Sequence, residues 1–180
     1  MKNIIFIAIT FVAIFLQIAN EAYGQQAGFD NCHAFTPNGT KVFMKCHWGD
    51  EPFTGAEIIA FNQNIANAFP GAVQWKDASA MYNCHSYAWW WTSSAGNHAW
   101  MQGTNATGNN DNKYWEDGSY VPANWNNGTK ISYQNDDHSG NLIPSHPGWV
   151  YSKWGPGPVM IHWYLDSPYT DNVVRLYKRG

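Results

Sequence analysis

Helical periodicity is clearest in the first half of the chain. Between residues 54 and 69 apolar residues recur at spacings of three and four, which is typical of one face of an amphipathic helix. Thr54 followed three positions later by Glu57 is a capping-box pattern at its start, and Pro70-Gly71 ends it. The sequence therefore predicts a helix that packs on the rest of the domain through its apolar face.

The remainder of the chain combines one further helix with loops and strands. A short extended connection over 72–82 leads to a second helix from residue 84 to about residue 93, where small and aromatic residues follow Asn83. Residues 93–127 are rich in Gly, Asn and aromatics and are predicted to form loops with short strands at 114–115 and 119–121. Alternating segments separated by turn residues predict further strands at 130–133, 138–143, 149–154, 159–165 and 173–177.

These elements predict an α+β domain in which N-terminal helices pack on an antiparallel β-sheet built as a meander. Residues 1–24 are not expected to belong to it. Lys2 is followed by an apolar run over 4–18 and then by Ala22-Tyr23-Gly24, the pattern of a secretory signal peptide cleaved after Gly24. The run is shorter than the roughly 20 residues of a membrane span. We expect one domain over 25–180, secreted or periplasmic, with no membrane association once the signal is removed.

Charge and composition narrow the possible partners. The formal net charge is −3 and the basic residues are scattered, so a nucleic-acid partner is not expected. The 11 tryptophans indicate first an aromatic core, and second a surface on which sugars stack. The long irregular stretch of residues 99–125 is the predicted wall of a binding groove. We expect a monomer.

In an oxidising compartment three cysteines can form one disulfide, which leaves one thiol unpaired. Cys32 and Cys46 flank Pro37-Asn38-Gly39, a hairpin signal, and a disulfide between them would contribute about 3 kcal/mol. Cys84 is then the leftover thiol, although the sequence also allows it to pair with either of the others. The Cys-His pairs in the chain lack the usual spacing of zinc ligands, so neither a metal nor a cofactor is expected.

Cys84 lies where a thiol can be activated. With Asn83 as the N-cap, Cys84 falls in the first helical turn, where free N–H groups and the helix dipole lower a thiol's pKa. The alternative is a buried Cys84 that acts as a small apolar residue, as most free cysteines do. His85 is expected to point away from it.

Two segments resemble a known superfamily. Asn83-Cys84-His85-Ser86 is similar to the motif that opens the helix of the NlpC-like and CHAP cell-wall amidases, with Asn where Asp is commoner. The later segments 128–133 and His138-Ser139-Gly140 are similar to the strand of these families that leads to their histidine, with Thr129 in the place of Asp. The resemblance covers roughly residues 54–165.

The resemblance implies a papain-like NlpC/CHAP-type fold and a cysteine amidase or endopeptidase. Cys84 would attack an amide carbonyl and His138 would be the base. The oxyanion would be bound by the Cys84 N–H and one other donor, with Tyr82 and Asn83 as the candidates.

The third triad member implied by the resemblance lies on the strand after that of the histidine, near Ser152. His162 on the following strand is the other candidate. The implied substrate is the stem peptide of peptidoglycan. The rival hypothesis is a non-catalytic exported module that binds wall glycan or a protein partner through exposed aromatic residues.

Overall fold

The structure is a computed structural model that describes residues 29–47, 50–90, 98–101, 110–134, 137–169 and 173–180. The predicted signal segment, residues 1–24, lies outside the described residues. Within these ranges no helix combines the length and the hydropathy needed to cross a membrane. The described part is an α+β structure with two antiparallel sheets, which confirms the predicted class.

The smaller sheet contains three strands, β1 (Phe29–Phe35), β2 (Lys41–His47) and a strand over His98–Met101, in that spatial order. The first two strands form the predicted hairpin, and Gly39 in its turn has a φ of 89°, which glycine adopts without steric cost. The predicted disulfide between Cys32 and Cys46 links these strands, with a Cα–Cα distance of 5.8 Å. Such a bond is compatible with a protein outside the cytoplasm.

The larger sheet contains seven strands. In chain order they are β3 (Val73–Lys76), β5 (Tyr120–Pro122), β6 (Lys130–Tyr133), β7 (Ser139–Leu142), β8 (Trp149–Lys153), β9 (Val159–Trp163) and β10 (Val174–Arg179), with β4 being the His98–Met101 strand of the smaller sheet. The spatial order is β3-β9-β8-β7-β6-β10-β5. The predicted meander is confirmed for β6 to β9. It is wrong for β10, which pairs with β6, while β3 occupies the edge beside β9.

The helices are α1 (Gly55–Ala68), α2 (Cys84–Trp89) and α3 (Lys113–Glu116). The capping box of Thr54 and Glu57 at α1 is confirmed, but no residue of α1 is fully buried. It contacts the domain through half-buried side chains, with Phe61 stacked on Phe53 at 5.0 Å. Helix α1 therefore covers the edge of the molecule rather than its centre.

Helix α2 is the central helix, because all six of its residues are buried. It ends at Trp89, short of the predicted end, and residues 91–97 lie outside the described residues. The predicted strand at Tyr114-Trp115 is wrong, because these residues belong to α3. The helical turn lets both rings pack on Trp89, at centroid distances of 5.7 Å and 5.1 Å.

The two faces of the larger sheet are covered differently. Ser139 of β7 faces α2, since its hydroxyl contacts His85 and Trp89. Because successive side chains of a strand point to opposite faces, the neighbouring positions face away from α2. On that second face lies an apolar cluster of Ile131, Tyr133, Leu142 and Val150 with Trp125, Tyr164, Tyr169, Val174 and Leu176 around it.

Candidate active site

Asn83 fixes the start of α2 and joins it to β4. Its side-chain oxygen accepts the N–H of Ser86 at 3.1 Å, and the Ser86 hydroxyl accepts the N–H of Asn83 at 3.2 Å. The same oxygen accepts the Met101 N–H at 3.2 Å, and the Asn83 amide nitrogen donates to the Met101 carbonyl at 2.6 Å. The Asn83 side chain thus connects the start of α2 to β4.

Cys84 is the free cysteine of the chain and is 5% exposed. Its sulfur lies 4.0 Å from the carbonyl oxygen of Asp137, 53 positions later in the sequence. The residue after Asp137 is His138. The fold therefore brings the thiol to the start of the predicted histidine strand.

His85 and Asp111 form a buried pair beside this thiol. Nδ1 of His85 is 2.9 Å from Oδ2 of Asp111, and the two side chains are 5% and 0% exposed. The same nitrogen is 3.0 Å from the Ser139 hydroxyl, which also accepts the Trp89 indole N–H at 3.0 Å. The Asp111 oxygens have no hydrogen bond of good geometry to a described residue, but Oδ2 is close enough to His85 Nδ1 for an ion pair.

The groups around His85 shift the pKa of its imidazole. Burial lowers the pKa of His85, but electrostatic and hydrogen-bond interactions with Cys84 and Asp111 outweigh it and hold that pKa well above its usual value. The shift favours the protonated form of the imidazole. His85 Nδ1 faces Ser139 and Asp111, and the expectation that the ring points away from the Cys84 sulfur stays a prediction.

His138 is fully buried and lacks polar contacts in the described part of the chain. Its ring stacks on Tyr169 with centroids 3.6 Å apart and meets Tyr133 edge-on at 5.0 Å. Neither ring nitrogen has a hydrogen-bond partner among the described residues, so His138 forms no hydrogen bond to Cys84 here. Burial, followed by the charges of His162 and His85, lowers the pKa of His138 well below its usual value.

The two candidates for the third triad position bond to each other. His162 Nδ1 lies 2.8 Å from the Trp163 carbonyl and must donate to it, so Nε2 accepts. The Ser152 hydroxyl, 2.7 Å from Nε2, therefore donates to His162, and it accepts the Trp154 indole N–H at 2.9 Å. Burial lowers the pKa of His162 to about 4, so its ring is neutral at pH 7. Neither residue hydrogen-bonds to His138.

Tyr82 and Lys153 lie next to the start of α2. The Lys153 ammonium is 4.9 Å from the centroid of the Tyr82 ring and donates to the carbonyls of Ser79, Gly155 and Gly157 at 2.5–2.8 Å. Burial, with smaller contributions from other negative groups, raises the pKa of Tyr82 above its usual value, so its hydroxyl remains a donor. Lys153 is fully buried and joins three loop carbonyls to β8.

Sequence reasoning found the thiol and missed the pair beside it. Asp111 lies in an Asn- and Gly-rich loop with no periodic pattern, and nothing in the sequence links it to His85. The described residues include no group of three or more His, Cys, Asp or Glu side chains placed to hold a metal ion. The groove wall predicted at 99–125 lies partly outside the described residues, since 102–109 are not among them.

No protein-family model matches this chain, and no curated protein or solved structure is significantly similar to it.

Proposed function

We propose that the protein is a secreted cysteine hydrolase of papain-like NlpC/CHAP type, an amidase or endopeptidase that acts through a Cys84 thioester. The observation that carries this proposal is the approach of the Cys84 sulfur to the main chain directly before His138, with 4.0 Å between the sulfur and the Asp137 oxygen. A free thiol in the first turn of a buried helix and a buried imidazole on the neighbouring sheet are the two groups that the reaction needs.

The reaction divides into two steps. The Cys84 thiol gives its proton to an imidazole, and the sulfur attacks the amide carbonyl to form a tetrahedral oxyanion. Collapse breaks the C–N bond, the imidazolium gives its proton to the leaving amine, and a thioester remains. Water then attacks the thioester with the imidazole as its base, which releases the acid and restores the thiol.

His138 is the proposed base. To reach the sulfur, the His138 side chain would have to leave its stacking on Tyr169, but it would break no hydrogen bond to a described residue, because neither of its nitrogens has such a partner. Hydrogen bonds of catalytic groups are often long or misaligned before substrate binds. The lowered pKa of His138 keeps it neutral at pH 7, which is the form that accepts a proton.

The oxyanion would be bound by the N–H of Cys84, which has no intrahelical partner in the first turn. Tyr82 is the proposed second donor, because its hydroxyl stays protonated and Asn83 is occupied. Ser152 supports the sheet next to the site through its bond to His162 rather than by orienting His138. The proposed substrate is an amide bond in the stem peptide of peptidoglycan.

A second candidate function is favoured by exposed aromatic residues. Trp75 on the edge strand β3 is 57% exposed and lies 5.7 Å from the ring of Tyr151, and Trp163 on β9 is 42% exposed. Exposed indole faces are the groups on which sugars stack. A non-catalytic module of this fold would bind wall glycan through them.

The test compares Cys84→Ala and His138→Gln with the unmodified protein on purified peptidoglycan and on a synthetic stem peptide. We expect each substitution to lower the release of new amino groups, measured by mass spectrometry, by at least about a thousandfold. The matched control is His146→Gln, which removes an exposed imidazole whose partner is Ser145.

Hydrolysis that persists in Cys84→Ala contradicts the thiol mechanism. If the unmodified protein cleaves neither substrate but binds the insoluble wall, and Trp75→Ala removes that binding, the second candidate function replaces the first.

A further inference from the structure

The outward side of the hairpin of β1 and β2 is exposed to solvent and has no part in the proposed reaction. On the inward side Ala34, Val42 and Met44 are buried in the core around Trp89. Because successive side chains of a strand alternate, the residues between them point outward. The exposed outward residues, which form the hairpin face, are Asn31, His33, Phe35, Lys41, Phe43 and Lys45.

Two lysines converge on the Phe43 ring of the hairpin face. The ammonium groups of Lys41 and Lys113 each lie 5.1 Å from the centroid of this ring. Lys113 belongs to α3, and its ammonium also donates to the Lys41 carbonyl at 3.0 Å, across 72 positions of sequence. The fold thus joins cations that are scattered along the chain. Their like charges repel, and at an exposed site an aromatic ring offsets this repulsion only weakly.

No carboxylate in the described ranges forms an ion pair with the lysines of this surface. Asp117, beside the hairpin turn, accepts hydrogen bonds from Thr36 and Ser119. Asp30 occupies an inward position of β1, and Glu116 is exposed on α3. The chain as a whole has a formal net charge of −3. The hairpin face is therefore a positive surface on an acidic protein.

We propose that the hairpin face binds the carboxylate groups of wall peptides and so orients the protein on its polymeric substrate. An anionic ligand supplies the counter-charges that the described residues do not give to these lysines. The Phe43 ring already contacts two ammonium groups, which favours recognition by charge over the stacking of a sugar or a base on the ring. This choice of ligand rests on the proposed function, because each stem peptide that is not cross-linked ends in a carboxylate.

The hairpin leads to the proposed active site through β4. Strand β2 pairs with β4, and Met101 of β4 bonds to Asn83 at the start of α2. A wall chain bound on the hairpin face is thus attached to the sheet that carries the Cys84 helix, which raises the local concentration of stem peptides. Loss of this surface should raise KM on intact peptidoglycan and leave kcat unchanged.

The test measures binding in the Cys84→Ala protein, so that the polymer stays uncut. Its cosedimentation with purified peptidoglycan is compared at about 20 mM and about 500 mM NaCl, since salt screens exposed charges. A second sample of peptidoglycan has its carboxylates converted to amides with a carbodiimide and an amine. We expect binding at low salt that is lost at high salt and on the amidated polymer, and that soluble poly-L-glutamate competes for.

Lys41→Gln/Lys113→Gln should weaken this binding roughly tenfold at low salt. The matched control is Lys76→Gln/Arg175→Gln, which removes two positive charges from β3 and β10 and should leave the affinity unchanged. Circular dichroism and urea unfolding establish that each variant is folded. If Lys41→Gln/Lys113→Gln does not fold, Lys45→Gln removes an outward cation of β2 and should weaken binding severalfold.

A folded Lys41→Gln/Lys113→Gln protein that binds as tightly as its parent overturns the proposal, and so does a parent protein that does not bind peptidoglycan. Binding that survives both amidation and high salt also overturns it, since the glycan would then be the ligand. If polyphosphate or DNA competes and poly-L-glutamate does not, the ligand is a phosphate and the proposal is wrong.

The two proposals fail separately. Hydrolysis that persists in Cys84→Ala removes the thiol mechanism, while the salt-dependent binding of that same variant still tests the hairpin face. Hydrolysis that needs Cys84 but has the same KM on peptidoglycan in Lys41→Gln/Lys113→Gln removes only the role of the hairpin face.

Discussion

The Asn83 side chain has two structural roles, since it caps α2 and also bonds to β4. Either Asn or Asp can cap a helix at this position. Here the cap also contacts β4. Two N–H groups, of Ser86 and Met101, point at the side-chain oxygen, and the amide nitrogen points at the Met101 carbonyl. Only an amide meets both requirements, since a carboxylate has no hydrogen to donate.

We therefore predict that Asn83→Asp destabilises the protein although it preserves the shape of the side chain. The new carboxylate oxygen would face the Met101 carbonyl across the 2.6 Å now spanned by a hydrogen bond. The expected loss in the free energy of unfolding is about 2 kcal/mol, measured by urea denaturation. Asn64→Asp, on the exposed side of α1, is the control and should change stability little. Equal effects of the two substitutions would refute this account.

At the scale of elements, local patterns in the sequence predicted most of the structure. The capping box of Thr54 and Glu57, the hairpin turn at 36–40 and the strands β6 to β9 each carry their signal within a few neighbouring residues. No local signal predicts that β10 pairs with β6. That pairing depends on which edge of the sheet is still unpaired once β6 to β9 have formed. Tyr114-Trp115 was predicted as strand since aromatic residues favour strands, but contacts with Trp89 select a helical turn.

The candidate site also contains residues that a local motif predicts and residues that only the fold brings together. Cys84 and its cap lie within one local motif and could be found from the sequence. Asp111 reaches His85 only through the fold, and the bond between Ser152 and His162 depends on the pairing of β8 with β9. Side chains that meet across elements have no spacing rule to reveal them.

The hairpin of β1 and β2 connects the disulfide to the site. Strand β2 pairs with β4, and Met101 at the end of β4 bonds to Asn83. We predict that Cys32→Ala/Cys46→Ala lowers the free energy of unfolding by about 3 kcal/mol, because it removes a cross-link between residues 14 positions apart. Thermal and urea unfolding with and without reductant provide the measurement.

The unmodified protein in reductant is the matched control and should unfold like the double variant. If reductant destabilises the double variant as well, the effect does not come from this disulfide. Cys84 should still take one iodoacetamide adduct in the folded double variant, since the substitution leaves α2 in place.

At the scale of the whole molecule, stability depends on pH because buried histidines have pKa values shifted in opposite directions. His138 and His162 have pKa values below the value of about 6.5 in an unfolded chain, so the unfolded state binds their protons first as pH falls. His85 has a raised pKa, so its contribution is present below pH 6.5 and is lost as pH rises above it. On the acid side His138 and His162 therefore make stability fall as pH drops below about 6.5. On the alkaline side the loss from His85 is opposed by Lys153 and Lys130, because burial lowers their pKa values to about 7 and about 8 and the unfolded state binds their protons more tightly.

The acid side of this profile gives the sharper prediction, because His162 has a pKa of about 4 in the folded protein. Lowering the pH from about 6.5 to about 4 should cost about 3 kcal/mol through this residue, at up to roughly 1.4 kcal/mol per pH unit. His162→Gln lowers stability by disturbing Ser152 and Trp154, but it should also flatten the acid slope. Since His146 is exposed, His146→Gln should preserve that slope. Urea unfolding at several pH values decides between a shallower slope in His162→Gln, as expected, and an unchanged one, which would mean that other groups bind the acid protons.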